Sequence, residues 1–246
     1  GGLLHKGAMV VRPALLIQSL MEGADLRFGA VPDQAAINAL TDDPETVVIH
    51  CTGMAAAEMF DWLQLAGRLG QVDHFSDFDA PASALVSGTY AITSGPDRLW
   101  GATFEPHQAG DPIDVSEAAR TENAEALETL APYWMQAARR GEVSSRAGVR
   151  ATTPDRLPLI GAIPDAAAFK EVFAGLSTGQ WAEADAPLVP GQMLCGGFGS
   201  RGFTWGPWGA AILAAQAFGS PAPAGLKALS AVAPSRQLIR ALKRGR

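Results

Sequence analysis

Apolar residues along the chain fall into short blocks with two different periods, and that mixture predicts both strands and helices. Ala8 to Val11 reads as a strand, and Pro13 opens an apolar-periodic stretch to Met21 that predicts a helix with proline in its first turn. Leu26 to Phe28 predicts a further short strand, and Pro32 to Leu40 a short helix. The run Val47-Val48-Ile49 inside Thr46 to Cys51 predicts a buried strand that stops at Thr52-Gly53. Ala84 to Thr93 and Leu99 to Phe104 alternate in strand fashion across the turn signal Ser94-Gly95-Pro96-Asp97, which predicts an antiparallel hairpin. Asp114, three residues ahead of Glu117, predicts a capping box for a helix reaching Leu130 and ended by Pro132. The glycine-, proline-, threonine- and arginine-rich stretch from Arg146 to Pro164 predicts a loop. Gln192 to Gly196 predicts a strand, the glycine-rich Gly197 to Gly202 a turn, and the residues to Phe218 a helix. Ser235 to Lys243 carries basic and apolar residues at helical spacing, and no internal repeat is visible.

Composition adds bounds. With 246 residues, 48% hydrophobic and 18% charged, the chain is long enough for one substantial core with a satellite layer. The longest apolar run, Pro207 to Phe218, is too short and too rich in small residues for a membrane span, so no membrane partner is expected. The first residues lack the charged and apolar blocks of a secretory signal. Cys51 and Cys195 both sit in apolar runs and read as buried free thiols, which fits a reducing cytoplasm. His5, His50, His74 and His107 are scattered without metal-ligand spacing, so no metal is expected.

The net charge of −6 divides unevenly: the last acidic residue is Asp185, leaving −13 on the first 185 residues and +7 on the last 61. That asymmetry has two readings, a polyanion-binding end or a solvated basic helix. On the first, Arg236, Arg240, Lys243 and Arg244 form a stripe suited to nucleic-acid phosphates. On the second, Leu238, Ile239 and Leu242 dock the helix and the cations are merely wet.

Gly197-Phe198-Gly199-Ser200-Arg201-Gly202 satisfies G-x-G-x-x-G between a predicted strand and a predicted helix. A complete dinucleotide fingerprint also needs an acidic residue about 20 positions downstream. None follows Asp185, so a self-contained dinucleotide domain is excluded here. The turn still aims backbone N–H groups and the positive end of a helix dipole at whatever lies ahead of it, which suits an anionic ligand edge. Close packing of a small-residue helix on a sheet would account for Gly206, Gly209, Ala210 and Ala214 equally well.

Several strings in combination resemble the C-terminal FAD-dependent oxidoreductase domain of bifunctional tRNA 5-methylaminomethyl-2-thiouridine biosynthesis proteins, in the D-amino-acid oxidase and glycine oxidase superfamily. They are Arg146-Ala147-Gly148-Val149-Arg150-Ala151-Thr152-Thr153-Pro154-Asp155-Arg156-Leu157-Pro158-Leu159-Ile160-Gly161, then Pro164-Asp165, then Gly199-Ser200-Arg201-Gly202 running into Ala211 to Gln216. Weaker echoes are Gly7 to Pro13, Cys51-Thr52-Gly53, Ser87 to Tyr90 and Gly101 to Phe104. Gly7-Ala8-Met9-Val10 stands where the family has a tryptophan, and Cys51 where it more often has alanine.

The resemblance implies an α/β fold with α+β character: an incomplete FAD-binding-type layer joined to an antiparallel-sheet substrate domain. On that basis residues 1–53 are a remnant of the FAD-binding domain with the start of the substrate domain, 54–145 the antiparallel sheet, and 146–246 the return to the FAD-binding domain. The cofactor implied is FAD, with Gly53, Gly161, Gly197, Gly199, Ser200 and Gly202 beside it. The flavin edge at N1 and C2=O, which turns negative when the ring accepts a hydride, suits the glycine turn. The implied reaction oxidises the C–N bond of a secondary amine, most specifically the carboxymethyl group of 5-carboxymethylaminomethyl uridine in tRNA. Arg201, from the glycine turn, is then the candidate for gripping the glycine-like carboxylate, with Arg150 as a second substrate contact. The N-terminal βαβ glycine fingerprint of such enzymes is absent from this sequence, so the chain on its own is expected to be colourless and inactive. Two other readings stand beside this one: a small-molecule glycine, sarcosine or D-amino-acid oxidase, and a non-catalytic module that does not hold flavin.

Overall fold

The computed structural model describes residues 2–76, 84–180 and 182–245. Its strands are β1 (Val48–His50), β2 (Ala66–Ser76), β3 (Ala84–Ser87), β4 (Thr89–Ser94), β5 (Asp97–Gly101), β6 (Glu105–His107), β7 (Ser144–Thr152), β8 (Leu159–Pro164) and β9 (Leu188–Gly196). The α-helices are α1 (Pro13–Leu20), α2 (Gln34–Thr41), α3 (Ala56–Met59), α4 (Glu117–Leu130), α5 (Pro132–Ala138), α6 (Ala166–Val172), α7 (Gly202–Ala217), α8 (Leu226–Val232) and α9 (Ser235–Lys243). The chain divides into two compact units: residues 1–30, 69–106 and 110–149, and residues 31–68, 107–109 and 150–246.

In the first unit the antiparallel sheet runs β3-β4-β5-β2-β6, with β7 also paired to β2. The predicted hairpin is present as β4 and β5, with Ser94 opposite Asp97. The expected single strand from Ala84 to Thr93 instead folds back at Gly88, whose φ of 73° a residue with a side chain rarely adopts, so β3 pairs with β4. Phe75, Ala91 and Trp100 from the sheet pack against Leu127, Ala131 and Trp134 of α4 and its continuation. Ser116 rather than Asp114 caps α4, its Oγ accepting the Ala119 amide at 3.1 Å. The reason is that Gln71 Oε1 already accepts the Ser116 amide at 2.7 Å and fixes the chain there. A buried polar network crosses this unit: the Asp73 carboxylate accepts from Asn123 Nδ2 at 2.8 Å, Ser145 Oγ at 2.5 Å and Gln71 Nε2 at 3.1 Å. The expected strands at Ala8 to Val11 and Leu26 to Phe28 are not formed. A strand requires a partner edge, and these stretches have none among the described residues.

The second unit is built on a mixed sheet ordered β1-β9-β8, with β1 parallel and β8 antiparallel to β9. Period-two alternation divides its side chains. Leu159, Ile163 and Leu194 pack on one face with Ala56 and Leu63, while Ile160 and Cys195 pack on the other with Ile212, Leu213 and Val232 of α7 and α8. The stretch predicted as a loop from Arg146 to Pro164 is therefore mostly sheet, β7 and β8, with only the turn between them irregular. Gly161 inside β8 is not a breaker but a point of close approach: a Cβ there would lie 3.5 Å from Pro234 and 3.6 Å from the Gln216 amide. Gly209 of α7 serves the same purpose, with Ile160 at 3.1 Å and the Cys195 sulfur at 3.2 Å from a built Cβ. Close packing of a small-residue helix is thus one true part of the glycine pattern.

Candidate functional site

Ligands of open α/β sheets bind beyond the carboxyl ends of parallel strands, and here those ends carry the glycines singled out above. The register pairs His50 with Leu194, so Gly53 and Gly197 lie equally far beyond the last paired residues. Both have left-handed backbones, with φ of 60° and 68°. Gly199 follows at 57°. No atom lies within 4 Å of a Cβ built on Gly53 or Gly202, so the space before them is open, whereas one on Gly197 would meet the Thr153 methyl at 3.0 Å.

The glycine turn is stitched to the turn that follows β7. The Gly199 amide donates to the Ala151 carbonyl at 2.8 Å, and Thr152 bridges Phe198 in antiparallel fashion. Arg150 directly precedes Ala151 in β7, and Ser200 and Arg201 follow Gly199 in the turn, so the three come to the same pair of turns. Thr153 Oγ1 donates to the Leu157 carbonyl at 2.7 Å and closes the adjoining turn. Arg201 is exposed; its guanidinium donates to the Arg156 carbonyl and lies 5.7 Å over the Trp205 ring. It is thus held by a backbone carbonyl and an aromatic face, with no acid in an ion pair with it among the described residues.

At the start of α7 the Arg201 amide donates to Phe198 and the Thr204 and Trp205 amides to Arg201. The Gly202 and Phe203 amides make no backbone hydrogen bond among the described residues, as expected of a helix's first turn. Trp205 Nε1 is buried without a hydrogen-bond partner among the described residues. Open space, two free amides, the positive dipole end of a 16-residue helix and an unsatisfied indole N–H fit the anionic edge of a flavin. Of the predicted cofactor residues, Gly53, Gly197, Gly199, Ser200 and Gly202 come together beyond the carboxyl ends of β1 and β9. Gly161 does not, because Gln216 and Pro234 fill the space it faces.

The predicted phosphate-binding stripe loses Arg236, while Arg240, Lys243 and Arg244 are exposed. Arg236 is buried and spends all five N–H donors inside the protein: on Asp155, and on the carbonyls of Leu157, Val232 and Ala233. Arg240 also pairs with Asp155, and Lys243 is engaged as well. Leu238 is 1% exposed, and the Gln237 amide bonds the Gln64 backbone, with the Gln64 amide donating at 2.7 Å. Helix α9 is a docked helix. Arg240 and Arg244 line a cavity of about 190 Å³ with Gln64, Pro154, Asp155 and Gln237.

Sequence reasoning missed Asp155, Trp205 and the exposure of Cys51. Trp205, one helical turn after Arg201, was visible as an i, i+4 pair. Asp155 had no local signal. Cys51 is exposed rather than buried, because β1 stops before it. His50 is buried against Gln192 Oε1 at 3.0 Å, and no metal-binding cluster occurs among the described residues. No described helix is long and apolar enough to cross a membrane.

A mixed sheet with glycine turns beyond its parallel strands, joined in one chain to a helix-backed antiparallel sheet, is an architecture compatible with flavin-dependent oxidoreductases. The chain belongs to the DAO family of FAD-dependent oxidoreductases, whose profile matches residues 1–216. It is 37% identical over 167 residues to the tRNA 5-methylaminomethyl-2-thiouridine biosynthesis bifunctional protein of Burkholderia thailandensis, covering 68% of this chain and 25% of that protein. The Burkholderia mallei protein of the same name is 39% identical over 151 residues, covering 60% and 22%. The chain therefore spans about a quarter of the length of the curated relatives it matches. In fold it is similar to iminodiacetate oxidase from Chelativorans sp. BNC1, with a TM-score of 0.55, 20% identity and coverage of 74% and 44%. Glycine oxidase from Geobacillus kaustophilus is comparable, with a TM-score of 0.56, 19% identity and coverage of 77% and 45%.

Proposed function

We propose that this chain forms the amine-side part of an FAD-dependent oxidoreductase that oxidises the C–N bond of a secondary amine, with 5-carboxymethylaminomethyl uridine in tRNA as the substrate. The observation that carries the reading is Arg201, held at the open glycine turn by the Arg156 carbonyl and the Trp205 ring. The likeness to bifunctional tRNA-modification proteins supports the choice of substrate.

Bound FAD would supply a hydride acceptor. The Gly202 and Phe203 amides and the α7 dipole are suited to hold its electron-rich edge, with Gly53 and Gly197 giving the close backbone approach. Arg201 would grip the substrate carboxylate through its planar fork and fix the adjacent carbon over the cofactor. Arg150, at the neighbouring end of β7, would supply a second positive charge. Trp205 backs the guanidinium with its ring face and helps to hold its direction.

The test is nucleoside mass analysis of tRNA after incubation with the FAD-loaded protein, in which loss of the carboxymethyl group is expected. Arg201→Lys keeps the charge and loses the fork. It should lower kcat/KM by about 10- to 1,000-fold, or about 1.4 to 4 kcal/mol, with the flavin spectrum unchanged. Oxidation of free glycine or sarcosine with tRNA untouched would assign a small-molecule oxidase instead. Failure to take up FAD even when a glycine-fingerprint βαβ segment is supplied in the same protein would assign a non-catalytic module.

A further inference from the structure

The pairing of β1 with β9 brings together two groups that amine oxidation does not use. Parallel register runs from Val48 opposite Gln192 to His50 opposite Leu194, so the next residues, Cys51 and Cys195, stand side by side at the strand ends. Neighbouring strands lie about 4.7–4.9 Å apart, inside the Cα separation of about 4.4–6.8 Å that a disulfide accepts. At that register each thiol is the main influence on the other's acidity, as hydrogen-bond neighbours are.

Their surroundings differ in the way a reactive pair requires. Cys51 is exposed and Cys195 is buried. Cys195 packs against α7 at Gly209, where a side chain would come within 3.2 Å of its sulfur, so it is held in place beside its neighbour.

We propose that Cys51 and Cys195 form a peroxide-reactive dithiol, a redox modification site in which Cys51 attacks and Cys195 resolves. The Cys51 thiolate attacks one oxygen of a hydroperoxide and the O–O bond breaks. The other oxygen leaves as water or an alcohol after taking up a proton, and Cys51 becomes a sulfenic acid. The Cys195 sulfur then displaces that hydroxyl, which departs as water with the Cys195 proton as the S–S bond forms. The two thiols lose two electrons, and the hydroperoxide gains them. The hydrogen bond from Cys195 lowers the Cys51 thiol to about 7, outweighing burial that works to raise it. A substantial thiolate fraction at neutral pH follows. The same contact, with burial, pushes Cys195 up and keeps it protonated until it is needed. The bond would weld β1 to β9 two residues before Gly53 and Gly197, yet its formation requires no cofactor.

Peptide mapping of the 246-residue chain tests this, with hydrogen peroxide as the oxidant followed by thiol alkylation under denaturing conditions. The expected result is loss of both alkylatable thiols and a cross-linked peptide pair, lighter by two hydrogens, with no new covalent link between chains. Dithiothreitol should restore both thiols. Cys195→Ala should leave a Cys51 sulfenic acid that dimedone captures, while Cys51→Ala should leave Cys195 fully alkylatable after the same treatment. Three outcomes overturn the proposal: both thiols staying reduced in the wild-type chain, Cys51 advancing to the sulfinic acid with Cys195 still free, or Cys51 linking two chains. The wild-type map decides by itself, so a variant that folds poorly does not blur the answer.

Discussion

Replacing Asp155, in the turn between β7 and β8, with alanine should destabilise the second unit by unpairing its basic C-terminal helix. The Arg236 side chain is 7% exposed and that of Asp155 16%, and the pair is bidentate: Nε to Oδ2 at 2.9 Å and one terminal nitrogen to Oδ1 at 3.1 Å. Removing the carboxylate leaves a buried guanidinium with no counter-charge and two unmet donors. Breaking such a pair from one side costs about 3–5 kcal/mol. For a chain of this size that lowers the melting temperature by about 6–20 °C. Arg240, 45% exposed, shares the same carboxylate, and Arg240→Gln should cost only about 0–1 kcal/mol because solvent screens it. Amide hydrogen exchange within α9 is the assay of choice, since it reports this unit alone. The carboxyl adds a pH signature. Burial works to raise it, but Arg236, Arg240, the Leu157 amide and Thr153 together prevail and hold it well below the usual value of 3.8. A group depressed in the folded state stabilises fully above its unfolded value and loses that contribution as pH falls toward the folded one. The gap between wild type and Asp155→Ala should therefore stay constant down to about pH 5 and close below about pH 4. Equal losses for Asp155→Ala and Arg240→Gln, or a gap that widens in acid, would refute the argument.

Two further outcomes follow from the packing. Gly209→Val places carbon where Ile160 already lies 3.1 Å and the Cys195 sulfur 3.2 Å from a built Cβ, so α7 must shift from the sheet, at about 1–3 kcal/mol read from thermal melting. Asn123→Ala strips a donor from the Gln71 carbonyl at 3.0 Å and from the fully buried Asp73 carboxylate at 2.8 Å. It should cost about 3 kcal/mol in the first unit, and full retention of stability in a denaturant titration would show that water replaces the amide there.

What was legible in the sequence divides by the range of the interaction that decides it. The glycine turn was legible because its requirement is local: Gly197 and Gly199 are demanded by their own backbone angles, and the helix after them by its own first turn. The strand around Val48 and Ile49 and the hairpin at Ser94 to Asp97 were legible for the same reason, though not that the strand ends before Cys51. The segment from Arg146 to Pro164 was misread because its glycine and prolines dominate a local reading, whereas β7 and β8 exist through hydrogen bonds to β2 and β9. Ala8 to Val11 failed in the opposite sense, having strand composition and no edge to join. The basic end shows most sharply what spacing omits. Arg236 and Arg240 recur at helical intervals, which describes a phosphate-tracking stripe and a docked helix equally well. The choice falls to Asp155, 81 residues from Arg236 in the chain, and nothing near that acid announced its partner. A cation pattern on a helix therefore identifies a nucleic-acid surface only once its long-range acids are known. By that criterion Arg201, held by a carbonyl and a ring and ion-paired to no described acid, remains available to an anionic substrate, while Arg236 does not.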